Sequence, residues 1–181
     1  MKKNNIAIIL ARGGSKGIKN KNVYKLNKMP LIYWSIKSCL KANMISSVWV
    51  SSDSNKILKI SKKYGANVIK RPKKISGDYS TSEVAWYHAL AYIKNKIKNI
   101  DAVVGIQPTS PIRPPKLLND GLKKFYNEKL DSLILADCLD QYAQTGAEYT
   151  KVLKKIIEQN SLKDFDDVKL LPTSRKLKKL I

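Results

Sequence analysis

Short apolar runs alternate with longer amphipathic stretches along most of this 181-residue chain. The runs have the length of buried strands, and the amphipathic stretches are long enough to form helices. Strands are predicted at residues 6–10, 48–51, 66–69, 102–106 and 132–136, and helices at residues 30–42, 54–64, 80–96, 115–128 and 149–159. The alternation predicts an α/β fold with Rossmann-like layering, in which a mainly parallel sheet is covered by helices.

The length of the chain fits one domain with one core, and the 43% hydrophobic content is enough to fill it. Residues 1–140 carry the clear alternation and are predicted to form the α/β domain. Residues 141–181 are polar, rich in lysine and weakly periodic beyond the predicted helix at 149–159. We therefore expect them to be a divergent or truncated C-terminal part of the same domain.

The formal net charge is +21, from 35 basic and 14 acidic residues. Such a balance raises the hypothesis of a nucleic-acid-binding module, since basic faces neutralise phosphates. Only four of the basic residues are arginines, however, and the lysines are scattered along the chain rather than gathered in one block. We expect solvated lysines, no nucleic-acid partner, and a general attraction for anionic ligands.

The sequence has no apolar run near the roughly 20 residues of a membrane span, and its early run is too short for a signal peptide. We therefore predict a cytoplasmic protein without a membrane partner. Cys39 and Cys138 stand alone, without the spacing of a disulfide framework or a zinc site, and are expected to be reduced thiols.

A glycine-rich segment follows the first predicted strand. Its three glycines allow a tight turn with inward N–H groups, and three basic residues add positive charge. These are Gly13, Gly14 and Gly17, with Arg12, Lys16 and Lys21. The spacing is neither GxGxxG nor GxxxxGK[ST], so a dinucleotide site and an ordinary ATPase site lose their main support. The segment predicts a phosphate-binding loop of another kind.

Several motifs then follow in order: IAIILARGGSKGIKNKNV, PLIYWSI, VSSD, KRP at 70–72, Ser82-Glu83, and QPTSPIR at 107–113. Together they resemble the cytidylyltransferases that activate acidic nine-carbon sugars, the CMP-N-acylneuraminate (sialic acid) synthetases with their CMP-legionaminate and CMP-Kdo relatives. The resemblance covers about the first 135 residues. It implies a nucleotide-binding fold of the nucleotide-diphospho-sugar transferase type and a Mg²⁺-dependent transfer that joins CTP and an acidic sugar into a CMP-sugar for lipopolysaccharide or capsule synthesis.

The resemblance also implies a role for individual residues. Arg12, Lys16 and Lys21 correspond to catalytic residues on the CTP phosphates. Further nucleotide contacts are implied for Gly13, Gly14, Ser15, Gly17, Asn22, Arg71 and Ser82. Contacts to the sugar are implied for Gln107, Thr109 and Ser110. For Asp53, at the end of the second strand, a ligand or metal role and a helix-capping role remain open.

The resemblance weakens beyond the fifth predicted strand. The family's dimerisation segment has no clear counterpart, although the resemblance implies a homodimer, and the family's Asp-x-Asp magnesium element is not matched. Asp164, Asp166 and Asp167 have the composition of a hard-cation site without the expected spacing. The metal ligands therefore stay unassigned. The alternatives are a CMP-Kdo-type synthetase acting on another acidic sugar and a catalytically impaired or truncated nucleotide-binding paralogue.

Overall fold

The computed structural model of the protein describes residues 3–14, 18, 20–77, 80 and 82–132. All but the last three of these belong to Met1–Lys129, the first of two units into which the chain divides. The predicted helix at 149–159, the expected boundary at residue 140 and nearly all of the predicted fifth strand lie outside the described residues.

The described part of the chain contains six strands and four α-helices. The strands are β1 Asn5–Leu10, β2 Lys25–Leu26, β3 Met29–Pro30, β4 Ser47–Ser52, β5 Asn67–Lys70 and β6 Ala102–Ile106. The helices are α1 Leu31–Lys41, α2 Asn55–Lys63, α3 Ser82–Lys94 and α4 Pro115–Asn127. Two short 3-10 helices, Lys21–Val23 and Lys73–Ile75, lie in the connections.

Four strands form one parallel sheet in the order β5-β4-β1-β6. The central strand β1 is buried on both faces, and Ile6 and Ile9 are both 0% exposed. This burial explains why its sequence is continuously apolar rather than alternating. Because all four strands run the same way, their carboxyl ends meet at one edge of the sheet, which is where ligands of such sheets bind.

Helix α3 covers one face of the sheet. Its Ala89 and Ile93 pack in a buried cluster with Ile6 and Ile8 of β1. At the neighbouring strand β6, Gly105 allows the ring of Trp86 to approach the backbone, because a Cβ at Gly105 would lie 2.9 Å from Trp86 Cη2. The packing of α3 on the sheet therefore depends on a glycine at position 105, which has no side chain.

The other face of β1 carries Ala7 and Ile9, since successive side chains alternate across a strand. Both are fully buried. Helix α1 contacts β1 and β4, helix α2 contacts β4 and β5, and α1 also packs against α2 and α4. Helices on both faces are what an α/β fold with a parallel sheet requires.

The predicted elements at residues 6–128 are confirmed with small shifts at their ends. Pro30 precedes α1 as its N-cap instead of lying in the first turn, because its ψ of 143° is extended. Helix α3 begins at Ser82 and ends at Lys94, two residues inside each predicted end. The parallel sheet and the α/β class are as predicted.

The sequence analysis missed the short antiparallel pair β2–β3. Its turn is made by Asn27 and Lys28, whose φ angles of 49° and 66° lie in the left-handed region. Turns of this kind are normally predicted from Asn-Gly or Asp-Gly in the two central positions. Here the second position is a lysine, so the sequence does not indicate the turn. No helix in the described ranges is both long and apolar enough to span a membrane.

Candidate active site

The carboxyl ends of β1, β4 and β5 lie side by side and deliver Arg12, Asp53 and Arg71 to one place. The parallel hydrogen bonding continues past the strands, because Ala11 N donates to Ser51 O at 3.0 Å and Arg71 N donates to Ser52 O at 2.9 Å. The backbone is therefore held in register up to the site itself. Side chains that are distant in sequence become neighbours as a result.

The turn after β1 is fixed to β4 by Asp53. Gly13 N donates to Asp53 Oδ1 at 2.8 Å. The helix-capping role considered for Asp53 is wrong: Ser54 is the N-cap of α2, and its Oγ accepts from Ile57 N at 3.5 Å. The Asp53 carboxylate instead accepts the hydrogen bond from Gly13 of the loop.

Asn22 supports the same turn through a second hydrogen bond. It is buried, and its Nδ2 donates to the carbonyl of Arg12 at 2.9 Å. Asn22 lies in the 3-10 helix Lys21–Val23, which begins after Asn20 in the left-handed conformation. The chain thus folds back so that Lys21 and Asn22 lie beside the turn that they follow in sequence.

Arg71 is a buried cation at the end of β5, only 4% exposed. Its Nε donates to Ser76 Oγ at 2.9 Å, and Ser76 Oγ donates in turn to Pro72 O at 2.9 Å. Burial lowers the pKa of Arg71, nearby Asp53 raises it, and Arg12 lowers it further. Arg71, Asp53 and Arg12 therefore lie within electrostatic reach of one another.

Lys21 is the third cation of the site, and Arg12 lies within electrostatic reach of both Lys21 and Arg71. Burial lowers the pKa of Lys21, and the charge of Arg12 lowers it in the same direction. Neighbouring positive charges repel one another, and an anion that binds between them relieves this repulsion. The arrangement is suited to a ligand that carries several negative charges.

The structure does not cover every residue predicted for the site. Ser15, Lys16 and Gly17 lie outside the described residues, and their predicted roles stay predictions. Gly14 is exposed beyond the Gly13 turn, with nothing within 4 Å of the position of a Cβ. Ser82 is exposed as the first residue of α3.

The predicted sugar residues lie after β6, next to β1 at the same edge of the sheet. Gln107 and Ser110 are exposed, whereas Thr109 is half-buried. Ser110 N donates to Gln107 O at 3.3 Å, which closes a turn around buried Pro108. These residues share the edge with the three cations, and Gln107 and Ser110 are open to solvent there.

The far end of this loop is attached to α1. Ser38 Oγ donates to the carbonyl of Arg113. Cys39, the next residue of α1, is fully buried, and burial raises the pKa of its thiol to about 12, while the charge of Arg113 acts in the opposite direction. The loop that carries Gln107 therefore runs between two fixed points, β6 and α1.

Sequence reasoning missed two partners in this site. The sequence put Asp53 at the end of the second predicted strand, but did not indicate that its carboxylate would bind the amide of Gly13. Nothing in the sequence indicated Ser76 as the partner of Arg71. Within residues 3–14, 18, 20–77, 80 and 82–132, no three His, Cys, Asp or Glu side chains come together to hold a metal ion. Asp164, Asp166 and Asp167 lie outside these ranges.

The comparisons with known proteins agree with this chemistry. A family model described as cytidylyltransferase matches residues 6–179. The chain belongs to the cytidylyltransferase family. It is 38% identical over 127 residues to N-acylneuraminate cytidylyltransferase A of Danio rerio, covering 70% of this chain and 29% of that protein. It is 32% identical over 133 residues to pseudaminic acid cytidylyltransferase of Campylobacter jejuni, covering 73% and 57%.

This cytidylyltransferase-family chain thus spans less than a third of the zebrafish relative and little more than half of the Campylobacter one. Two solved structures show the same fold. CMP:2-keto-3-deoxy-manno-octonic acid synthetase, determined with CTP, superposes with a TM-score of 0.59 at 18% identity, covering 70% of this chain and 49% of that one. A cytidylyltransferase from Leptospira borgpetersenii gives 0.56 at 19% identity, covering 69% and 50%.

Proposed function

We propose that this protein transfers a cytidylyl group from CTP to an acidic nine-carbon sugar, an N-acylneuraminate or a legionaminate-like acid. The observation that carries the proposal is the convergence of Arg12, Lys21 and Arg71 beside the Gly13 turn, in a chain of the cytidylyltransferase family. The anomeric hydroxyl of the sugar attacks the α-phosphorus of CTP. The bond from that phosphorus to the bridging oxygen breaks, pyrophosphate leaves with the electron pair, and the proton of the attacking hydroxyl is lost to solvent.

In this mechanism Arg12 and Lys21, together with Lys16, bind the triphosphate. Transfer at phosphorus needs little covalent help from the protein and depends on positioning and on neutralising the oxygens around the reacting centre. The hydrogen bond of Asn22 to the Arg12 carbonyl and that of Gly13 to Asp53 hold the backbone of this segment in place. The turn can therefore bind phosphate without first having to become ordered.

The nucleoside part is assigned to Arg71, Asn22 and Ser82. A guanidinium offers donors in a fixed plane, which suits the carbonyl of a cytosine ring. Because Ser76 holds Nε of Arg71 at 2.9 Å, the plane of that guanidinium is set before the ligand arrives. Ser82, exposed at the start of α3, is assigned a weaker polar contact.

The acceptor sugar is assigned to Gln107, Thr109 and Ser110. Amide and hydroxyl groups suit a polyhydroxylated substrate, and their place after β6 lies beside the phosphate-binding turn after β1. Since Gln107 and Ser110 are exposed in this structure, the proposal requires them to be covered when the sugar binds.

Mg²⁺ and a homodimer also belong to the proposal, as the family resemblance implies. The described residues provide no cluster of three carboxylate, imidazole or thiolate side chains for the metal. We therefore assign no ligands to Mg²⁺ and no step of the reaction to it. We further propose that the reaction takes place in the cytoplasm and supplies an activated sugar for surface glycans.

A second candidate is transfer to a different acidic sugar, and one observation favours it. The Campylobacter relative is named for pseudaminic acid, and that relative is covered over 57% of its length, more than the zebrafish one. A fold shared with the CMP:2-keto-3-deoxy-manno-octonic acid synthetase adds that acid to the candidates. A paralogue that binds CTP without turnover is the remaining alternative.

The experiment is to incubate the purified chain with CTP and Mg²⁺ and to measure pyrophosphate release with N-acetylneuraminate, legionaminate, pseudaminate and Kdo in turn. Release with one sugar, together with the matching CMP-sugar by mass spectrometry, would support the proposal and identify the acceptor. A chain that binds CTP but releases no pyrophosphate with any of the four would contradict catalysis and favour the binding-only paralogue.

A further inference from the structure

Asp53 connects the glycine-rich turn after β1 to the end of β4. Its Oδ1 accepts a hydrogen bond of 2.8 Å from Gly13 N, although the two residues are 40 positions apart in sequence. Helix α2 does not need this carboxylate, because Ser54 is its N-cap. The side chain of Asp53 is therefore available to hold the turn.

The turn approaches β4 so closely that position 13 admits only glycine without rearrangement. A Cβ there would lie 2.9 Å from Ser54 Cβ and 3.4 Å from Asp53 Oδ2. The close approach and the hydrogen bond thus both hold Gly13 against Asp53, and the close approach also holds it against Ser54. The position of the turn is determined by β4 as much as by β1.

The main chain that carries the Asp53 carboxylate is itself held in place. Lys70 Nζ donates to the backbone carbonyl of Asp53 at 2.7 Å and to Asn55 Oδ1 at 2.5 Å. Arg71 is also close to Asp53, because its backbone N–H donates to Ser52 O at 2.9 Å and the Asp53 carboxylate raises its pKa. Asp53 is therefore a neighbour both of the turn and of the buried arginine that the proposed function assigns to cytidine.

We propose that Asp53 is a positioning residue of the nucleotide site, which accepts a hydrogen bond from the Gly13 amide and thereby fixes the glycine turn in the position that binds the triphosphate. The identity of the ligand rests on the proposed function, whereas the contact to Gly13 does not. The role requires an acceptor oxygen at Oδ1 and does not require a negative charge. An asparagine amide oxygen is therefore able to take it over.

The test compares Asp53→Ala and Asp53→Asn in the full chain, with Asp120→Ala as the matched control. Asp120 is an exposed carboxylate on α4, so its loss changes the net charge by the same amount away from the site. Two quantities are measured for each protein. These are the hydrogen-exchange rate of the Gly13 amide by NMR and the dissociation constant of CTP by calorimetry.

For Asp53→Ala we expect the Gly13 amide to exchange at least about tenfold faster and CTP to bind about 10- to 100-fold more weakly, the size expected for loss of a hydrogen bond to a charged acceptor. For Asp53→Asn both quantities should stay within about threefold of the wild type, because the amide oxygen restores the acceptor. Asp120→Ala should change neither.

Two results would overturn the proposal. If Asp53→Ala leaves Gly13 exchange and CTP affinity unchanged, the carboxylate does not position the turn. If Asp53→Asn binds CTP as weakly as Asp53→Ala and the loss depends on Mg²⁺, then the charge matters and Asp53 is acting toward the metal. Should the wild type fail to bind CTP, the proposed function fails, and the Gly13 exchange rates still decide whether Asp53 holds the turn.

Discussion

The side chain of Asn22 donates a hydrogen bond of 2.9 Å to the carbonyl of Arg12, and Asn22 is itself buried. The residue predicted to contact the nucleoside therefore also holds the backbone of the arginine predicted to contact the phosphates. Under the proposed function, base and phosphate recognition therefore depend on the same hydrogen bond, and its loss should weaken both.

We expect Asn22→Ala to lower kcat/KM for CTP about 10-fold or more and to lower the free energy of unfolding by about 1–3 kcal/mol, since the carbonyl of half-buried Arg12 loses its donor. Steady-state kinetics and urea unfolding measure the two effects. Asn127→Ala, at the exposed end of α4, is the control and should change neither. Wild-type kinetics in Asn22→Ala would show that the turn does not depend on this bond.

Replacement of Arg12 by alanine should lower kcat about 100- to 1,000-fold, the range found when one preorganised charge-stabilising donor is removed. The far-ultraviolet circular dichroism spectrum should stay the same, because Arg12 lies beyond the end of β1 and outside the core. The control is Lys123→Ala, an exposed cation on α4. Unchanged turnover in Arg12→Ala would show that Arg12 does not have the role assigned to it at the triphosphate.

We expect Lys21 to lower the stability of the folded protein and to strengthen the binding of CTP. Its pKa in the folded protein lies below the ordinary 10.5, through burial and then through Arg12. The protonated side chain therefore costs folding free energy at neutral pH, and the cost is relieved as the pH rises through the folded pKa toward 10.5. Lys21→Met should unfold at a higher temperature than the wild type at pH 7, with the difference shrinking as the pH rises toward 10.5. It should also bind CTP at least about tenfold more weakly.

The comparison should be repeated in Arg12→Ala, where the pKa of Lys21 is expected to rise because a like charge is gone. Carbon-13 NMR of the lysine side chain measures that shift directly. A Lys21 that titrates identically in both proteins would show that the two cations do not lie as close as described.

Gly105 tests the packing of α3 on the sheet. Gly105→Ala would place a Cβ 2.9 Å from the ring of Trp86, and we expect a loss of about 1–3 kcal/mol in the free energy of unfolding from this overpacking. Gly77→Ala is the matched control, since its Cβ would meet only Ser80 Oγ at 3.8 Å. A second substitution, Trp86→Leu, should recover part of the loss in Gly105→Ala, and equal stability of the two glycine variants would refute the close contact.

The parallel sheet could be predicted from the sequence because each strand in it is a short apolar run that ends in a distinctive loop. The carboxyl ends of parallel strands meet at one edge, so strands that end before Arg12, Asp53 and Arg71 bring these residues together. Their individual roles could not be predicted this way: the residue pattern predicted a phosphate-binding loop around Arg12, and the role of Arg71 came from the resemblance to the cytidylyltransferases.

The contacts within the site could not be predicted in the same way. Whether Asp53 caps α2 or binds Gly13 depends on the register between β1 and β4, in which Leu10 pairs with Ser51. A shift of one residue would turn the carboxylate to the other face of the sheet. The β2–β3 turn was missed for a different reason, because Lys28 occupies a left-handed position that sequence patterns assign to glycine.

The most direct measurement of the central claim, that Arg12 and Lys21 beside the Gly13 turn bind the triphosphate of CTP, is a calorimetric series with cytidine, CMP, CDP and CTP at fixed salt. UTP and inorganic triphosphate serve as controls for base recognition and for the general attraction of a chain with net charge +21. We expect affinity to rise with each phosphate, CTP to bind at least about tenfold more tightly than CMP, and Arg12→Ala to abolish that difference. Equal affinities for cytidine and CTP, or the same phosphate dependence in Arg12→Ala as in the wild type, would contradict the claim.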